Sequence, residues 1–455
     1  VDIEGLDMTN GDLISGSLAS IPMDVRAEAK LKKTEALAKI MTDFKLPIKK
    51  ELLNNYVNKI KPSLGASDVT PDEDVGIEGV VLRDPTTGDL IKLVAHARTT
   101  EEGLRMLRHL RSARGGGAVD AATAGKTLHE DDSIRLWTLD DSEDRPSGSG
   151  IVIASIKTKM HAISPDVAEG LALAVDLAEK DYAGVVIWSG DEPFSAGADL
   201  QAMLPAFMVA GVSAVEGAEH EMQQTMLRLR YANVPVVSAV RGLALGGGCE
   251  LAVHSARRVV HMESYIGLVE VGVGLVPGAG GLTYIARRAA ENMAASTSKD
   301  LLPFLTEGFT AAAMAKVGTS ALESRKLGYV LHSDVIVPHK DELLYVAINE
   351  AKAMANGGWR APHKRLFPVA GRSGIATIKG SLVNMKDGGF ISQHDFHIAS
   401  LIAEVVCGGD VDAGTLVSEE YLMTLERKAF CALIEHPKTQ ERILGMLSTG
   451  KPVRN

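Results

Sequence analysis

From about residue 133 the chain alternates short apolar runs with segments of helical spacing. Residues 151–156 form a β-branched run, too short for a helix, and read as a strand. Ser164-Pro165 then supplies an N-cap and a first-turn proline. Val167, Leu171, Ala174, Val175 and Ala178 follow at three- and four-residue spacing, which puts them on one helix face. Residues 185–188 read as a buried strand, and a helix is expected to open after Gly197. Residues 235–240 are the next strand, another helix opens after glycines 246–248, and residues 258–262 return to strand. This rhythm predicts an α/β domain with parallel strands. Beyond about residue 340 the pattern is mostly helical, over 342–355, 394–406 and 418–434.

The first 130 residues are polar and weakly patterned. Residues 24–60 read as helical with a break at Pro47, and residues 75–94 as a strand, a Pro-Thr-Thr-Gly turn and a second strand. Residues 114–117 and 140–150 are flexible breaks rich in Gly, Ser or charge. Glu78 to Arg83, with Lys92 following, resembles a nucleotide-pocket motif of covalent nucleotidyltransferases. The Lys-x-Asp-Gly nucleophile motif of those enzymes is missing, so a plain hairpin is the better reading. The resulting division is an N-terminal region over 1–130, an α/β core over 131–335 and a helical region over 336–455.

Composition narrows the function classes. With 48 basic and 58 acidic residues the net charge is -10, which argues against a uniformly basic nucleic-acid surface. Three scattered cysteines, Cys249, Cys407 and Cys431, suggest neither a disulfide framework nor a metal knuckle and fit a reducing cytoplasm. No apolar stretch is long enough for a membrane span; the most apolar window, 234–253, is broken by Arg241, Glu250 and glycines. The chain starts at Val1 without an initiator Met or a signal segment, as a piece of a longer polypeptide would.

Three strings hold candidate chemistry. In Phe194-Ser195-Ala196-Gly197-Ala198-Asp199-Leu200, small residues stand where free amides at a helix start would face a ligand. In Arg241 to Leu251, three consecutive glycines precede Glu250, an entropic cost that implies close backbone approach. In Gly267 to Gly281, Glu270 is a lone carboxylate among apolar residues and glycines, where burial raises a pKa into the range useful for proton transfer. Each string alone is as well explained by packing, dipole complementation or a solvent-facing strand. Together they make two amide donors for one carbonyl oxygen and two carboxylates beside it.

These strings, FSAGADL, GLALGGGCEL and GLVEVGVGLVPGAGG, closely resemble the enoyl-CoA hydratase/isomerase (crotonase) superfamily over roughly residues 133–335. The resemblance implies a ClpP-like spiral of ββα units, completed by the helical C-terminal region, with the N-terminal region separate. It implies that the N–H groups of Ala198 and Gly247 form the oxyanion hole. It places Glu250 and Glu270 as the acid/base pair, with Ala196, Gly197, Asp199 and Gly246 lining the substrate. Lys159, Met160 and Ala162 fall where the family contacts CoA, although His161 replaces the usual Asn. The implied activity is that of a lyase hydrating a 2-enoyl-CoA to a 3-hydroxyacyl-CoA in fatty-acid β-oxidation, with CoA as part of the substrate and no other cofactor or metal. Isomerisation of enoyl-CoA, thioester hydrolysis and cofactor-free oxygenation are the alternatives.

The insertions at 291–316 and 355–410 and the Gly450 to Asn455 ending resemble the hydratase part of long bacterial fusions with a 3-hydroxyacyl-CoA dehydrogenase. No G-x-G-x-x-G lies between a strand and a helix in residues 1–130, so no NAD site is expected. The resemblance implies a homo-oligomer or a dehydrogenase partner.

Overall fold

The computed structural model describes residues 121–122, 124–139, 150–199 and 207–455, and before them three short strands. These are β1 (Ile48–Lys49), β2 (Val81–Arg83) and β3 (Leu90–Leu93), antiparallel in the order β1-β3-β2. Val81 stands opposite Lys92, which makes β2 and β3 the two arms expected over 75–94; the turn between them lies outside the described residues. The helix expected over 24–60 also lies outside them, except at 48–49, where a strand stands instead. The pairing of Ile48 and Lys49 with Leu93 and Lys92 holds this stretch extended, a contact distant in sequence that helical spacing does not announce. Val1–Ala118 and Val119–Asn455 form two compact units.

The second unit is built on a seven-stranded sheet in the order β10-β9-β8-β7-β6-β5-β4. β4 (Lys126–Glu130), β5 (Ile134–Thr138) and β6 (Ile151–Ile156) form an antiparallel meander at one edge. From β6 onward the strands are parallel: β7 (Gly184–Ile187), β8 (Val236–Leu245), β9 (Arg257–Gly267) and β10 (Val335–Val337). The crossovers are α1 (Pro165–Asp181), α2 (Val212–Arg230) and α3 (Gly247–His254). α1 starts as its sequence predicts, with Ser164 Oγ accepting from the Val167 amide and Pro165 in the first turn.

Strand periodicity divides the core. Val152, Ala154 and Ile156 point into the large core under α1, while Ile151 and Ile153 join Trp137, Val186 and Trp188 on the opposite face. α4 (Gly281–Ala294), α5 (Leu302–Ala313) and α6 (Ala321–Lys326) lie between β9 and β10. α7 (Leu343–Asn356) covers the second face with Leu343, Ala347 and Ala351. Then come β11 (Phe367–Pro368), α8 (Gly371–Asp387), α9 (Gln393–Val406), β12 (Leu416–Val417), α10 (Glu419–Ile434) and α11 (Pro437–Thr449). The helices expected over 342–355, 394–406 and 418–434 thus form within a residue or so of their apolar stripes.

β8 and β9 run on past the ends expected at 240 and 262. Their pairing slips between Val240 and Gly242, where Gly242 takes a left-handed φ of 60°, and resumes as Gly242 to Leu245 against Ser264 to Gly267. Lone bridges extend this second layer: Ile163 with Ala198, Ser195 with Ala244, and Ile266 with Gly318. Each strand-strand-helix passage therefore adds a short outer segment to a long inner one, the ββα spiral that the resemblance implies.

Candidate active site

The segments singled out by sequence all follow the carboxyl ends of β6, β7, β8 and β9, the edge of a parallel sheet where ligands bind. Residues 194–198 are stitched to the outer half of β8. Ser195 N–H donates to Leu243 O at 3.0 Å, and Leu245 N–H returns to Ser195 O at 3.1 Å. Ile163 then brackets Ala198, donating to Gly197 O at 2.8 Å and accepting from Asp199 N–H at 3.3 Å. That pairing uses the neighbours of Ala198 and leaves its own amide outside the ladder. Ala198 sits in a parallel bridge, and the exposed residue offers its N–H for that reason; the helix expected to open after Gly197 runs into residues 200–206, outside the described residues.

Gly247 is the first residue of α3, so its N–H has no acceptor within the helix. A Cβ on Gly247 would stand 3.2 Å from Ala198 N. Gly247 therefore comes close to the Ala198 amide, and a Cβ on Gly197 would in turn stand 3.2 Å from Gly247 N. The adjacent glycines make this approach possible: a Cβ on Gly248 would lie 2.6 Å from Ser195 O, and one on Gly197, whose φ is 102°, 2.7 Å from Leu245 O.

Glu250, in the first turn of α3, is buried. Its Oε1 accepts from Ala279 N–H at 2.9 Å and from Gly281 N–H at 2.8 Å, at the start of α4. Both bonds fall on one oxygen. Burial pushes its pKa up to about 7 against the pull of those amides. Glu270 is not on a strand; it opens a one-turn helix, Glu270–Val273, at the end of β9. Its Oε1 lies 3.1 Å from where a Cβ on Gly246 would be, next to Gly247. Both its carboxylate oxygens are shut from solvent and have no hydrogen-bond partner among the described residues. Burial first, and the Glu250 charge second, push Glu270 well above the ordinary carboxylate range. Glu270 thus favours the protonated state, and Glu250, with two amide donors, the anion.

Lys159 and Met160 are exposed in a short turn after β6, and Ala162 is half-buried. Ala196 N–H donates to Met160 O at 3.1 Å, which sets this turn beside the 196–199 segment. Gly197, Asp199 and Gly246 are the direct neighbours of Ala198 and Gly247. His161 is buried with Nδ1 2.5 Å from Pro193 O and Nε2 3.3 Å from Asp191, which makes it a tie between two loops.

Several residues here had no motif to announce them. Glu426 on α10 is fully buried and accepts from Gly280 N–H at 2.8 Å and from Thr283 N–H. Gln223 on α2 donates to Gly278 O at 2.6 Å and to Met423 O at 2.9 Å. Glu219, one turn earlier, lies against Gly278, and burial followed by the Glu250 charge raises it to about 8. The signal was present: Glu426 interrupts the apolar stripe Leu422, Met423, Ala429, Phe430 and Leu433 of α10, where a charge needs a buried partner.

Residues 148–318 match the family model described as enoyl-CoA hydratase/isomerase. The chain is 37% identical over 312 residues to a probable 3-hydroxyacyl-CoA dehydrogenase of Bacillus subtilis, covering 68% of this chain and 38% of that protein. It is 38% identical over 140 residues to a crotonyl-CoA hydratase of Syntrophomonas wolfei, covering 30% of this chain and 52% of that protein. A putative fatty acid oxidation complex trifunctional enzyme of Rickettsia felis is 43% identical over 128 residues, 28% of this chain and 18% of that protein. The chain spans less than two thirds of the length of each of these relatives.

Proposed function

We propose that this chain, whose residues 148–318 belong to the enoyl-CoA hydratase/isomerase family, adds water across the double bond of a 2-enoyl-CoA thioester. The observation that carries the reading is the approach of Gly247 to the Ala198 amide, with Glu250 and Glu270 enclosed beside them. Two N–H donors on one thioester oxygen stabilise the enolate that forms when C3 is attacked. Glu250, as the anion, accepts a proton from water as its oxygen bonds to C3. Glu270, as the acid, delivers a proton to C2 while the enolate electrons return. Glu250 ends protonated and Glu270 ionised, and one proton passed between them restores the resting state. Every transfer is met by a carboxyl group, so the reaction calls on no cofactor beyond the CoA of its substrate. Lys159, exposed beside Met160 and Ala162, is the cation we assign to a CoA phosphate.

The rate is expected to follow a bell-shaped pH profile. Activity rises as Glu250 ionises near pH 7 and falls as Glu270 loses its proton at higher pH. The test is hydration of a chain-length series of enoyl-CoA thioesters, followed by loss of their ultraviolet absorbance, with wild type and Glu250→Gln. Gln keeps an oxygen for the Ala279 and Gly281 amides, so the fold stays while hydration falls by about 10²–10⁴-fold. A variant that still hydrates at the wild-type rate removes Glu250 from the mechanism. One that loses hydration but keeps Δ3–Δ2 isomerisation shows that Glu270 shuttles a proton alone. We propose further that a 3-hydroxyacyl-CoA dehydrogenase, the activity named for the Bacillus subtilis relative, consumes the product.

A further inference from the structure

The turn before α4 is shared between two carboxylates in alternation. Glu250 takes the amides of Ala279 and Gly281, and Glu426 takes those of Gly280 and Thr283. Gln223 holds the Gly278 carbonyl and also the Met423 carbonyl, which ties α2, the turn and α10 together. Gly280, with a φ of 106°, lets successive amides point to opposite sides. The two acids come from helices 176 positions apart in the chain, by the difference of 426 and 250. Glu426 divides its bonds, one amide to each oxygen. Glu250 draws both of its amides to Oε1, which leaves Oε2 for the reaction.

We propose that Glu426 is a positioning residue for Glu250: by holding the alternate amides of one turn it fixes where the Glu250 carboxylate sits. The proposal rests on the hydratase reading for its consequence in catalysis, but not for its physical content. Burial and then the Glu250 charge raise Glu426 itself to about 8, so it is still largely protonated when Glu250 ionises near 7. The other groups facing the pair are Glu219 from α2, Glu270 after β9, Cys249 and His254 from α3, and Arg427 from α10. His254 is held neutral by burial, and its Nδ1 lies 2.7 Å from Glu250 O. It therefore adds structure rather than charge.

The experiment is a carboxyl-carbon NMR titration of the full chain labelled in glutamate, with Glu250 and Glu426 identified by Glu250→Gln and Glu426→Gln. In wild type the Glu250 resonance is expected to titrate before that of Glu426. In Glu426→Gln the Glu250 midpoint rises, because an NH2 group in place of one carboxylate oxygen displaces the turn and loosens the two amides that favour the Glu250 anion. The acidic limb of kcat/KM moves with it while KM stays within about twofold, since Glu426 does not touch substrate. A folded Glu426→Gln with an unmoved Glu250 midpoint overturns the proposal and makes Glu426 a plain helix cap. If Glu426→Gln does not fold, Glu426→Asp, whose shorter side chain draws back from the turn, takes its place, and an unmoved Glu250 midpoint in that folded variant overturns the proposal. A midpoint that moves in a protein that hydrates no enoyl-CoA supports the coupling and removes the hydratase reading instead.

Discussion

At the scale of single residues, the site is made of small groups held close rather than of special side chains. Gly247 shows this best. A methyl group there would sit 3.2 Å from Ala198 N. On the proposed mechanism it fills the space the thioester oxygen needs, so Gly247→Ala is expected to fold and to lose about 10²–10³-fold in kcat, as much as removal of an oxyanion donor costs. Steady-state rates beside a far-UV circular dichroism spectrum check it; full activity would mean that the thioester oxygen lies elsewhere. Glu250 and Glu270 differ in the same local way. Both carboxylates are shut from solvent, with two amides hydrogen-bonded to Glu250 and the Glu250 charge acting on Glu270. On the proposed mechanism the same residue type is thereby sorted into a base and an acid by its neighbours.

At the scale of elements, the turn over residues 278–283 is the working part. Its backbone groups are claimed by Gln223, Glu250 and Glu426 from three different helices. Gly280 is its pivot: a Cβ there would lie 2.7 Å from Met423 Cε and 2.8 Å from the His254 ring, on a left-handed backbone. Gly280→Ala is expected to cost about 1–3 kcal/mol of stability through strain and overpacking. Activity should fall further than the fraction of folded protein, because the turn sets Glu250. Denaturant unfolding alongside turnover separates the two effects. The Glu270 turn is held from the other side. Arg442 on α11 is fully buried, donates to Val271 O at 3.0 Å and pairs with Asp395 at 2.8 Å, while Thr439 Oγ1 donates to Gly274 O at 2.8 Å. Arg442→Ala leaves Asp395 its pairing with the exposed Arg454 at 3.2 Å but unties the Val271 carbonyl, with an expected loss of about 1–3 kcal/mol. A wild-type melting temperature in this variant would show that α11 does not hold the turn.

At the scale of the whole molecule, burial of several acids gives the fold a distinctive pH dependence. Burial raises Glu219, Glu250 and Glu426 to about 8, 7 and 8. An acid with a raised folded pKa stabilises most below its unfolded pKa, near 4.5, and that contribution is lost as pH rises through the folded value. His254 and His394 run the opposite way, with burial lowering them to about 3 and about 4. Their contribution is present above about 6.5 and is lost as pH falls toward those values. Glu219→Gln removes one acid that is not hydrogen-bonded to the 278–283 turn. The stability gap in favour of this variant is expected to widen as pH rises from about 4.5 to about 8, as read by urea unfolding at several pH values. A gap that stays constant would mean that Glu219 titrates as it does in water.

Much of this protein was legible in its linear pattern, because strands and helices declare themselves by period and the three glycine-rich strings lie close together in the chain. The strands near 151, 185, 236 and 258, the helices beyond 340 and the residues Ala198, Gly247, Glu250 and Glu270 all follow from local signals and from resemblance. Local signals placed the Glu270 carboxylate among apolar surroundings, but did not show the bridge of Ala198 to Ile163 or the one-turn helix after β9, which depend on segments distant in sequence. Glu426, Gln223 and Arg442 were out of reach for the same reason: nothing in their own helices says which turn they will meet. Sequence alone therefore determined which backbone can approach a ligand, since that depends on small residues and local dihedrals. Only tertiary packing decided which acid keeps its proton, since protonation answers to buried charges and amide donors brought together from distant parts of the chain.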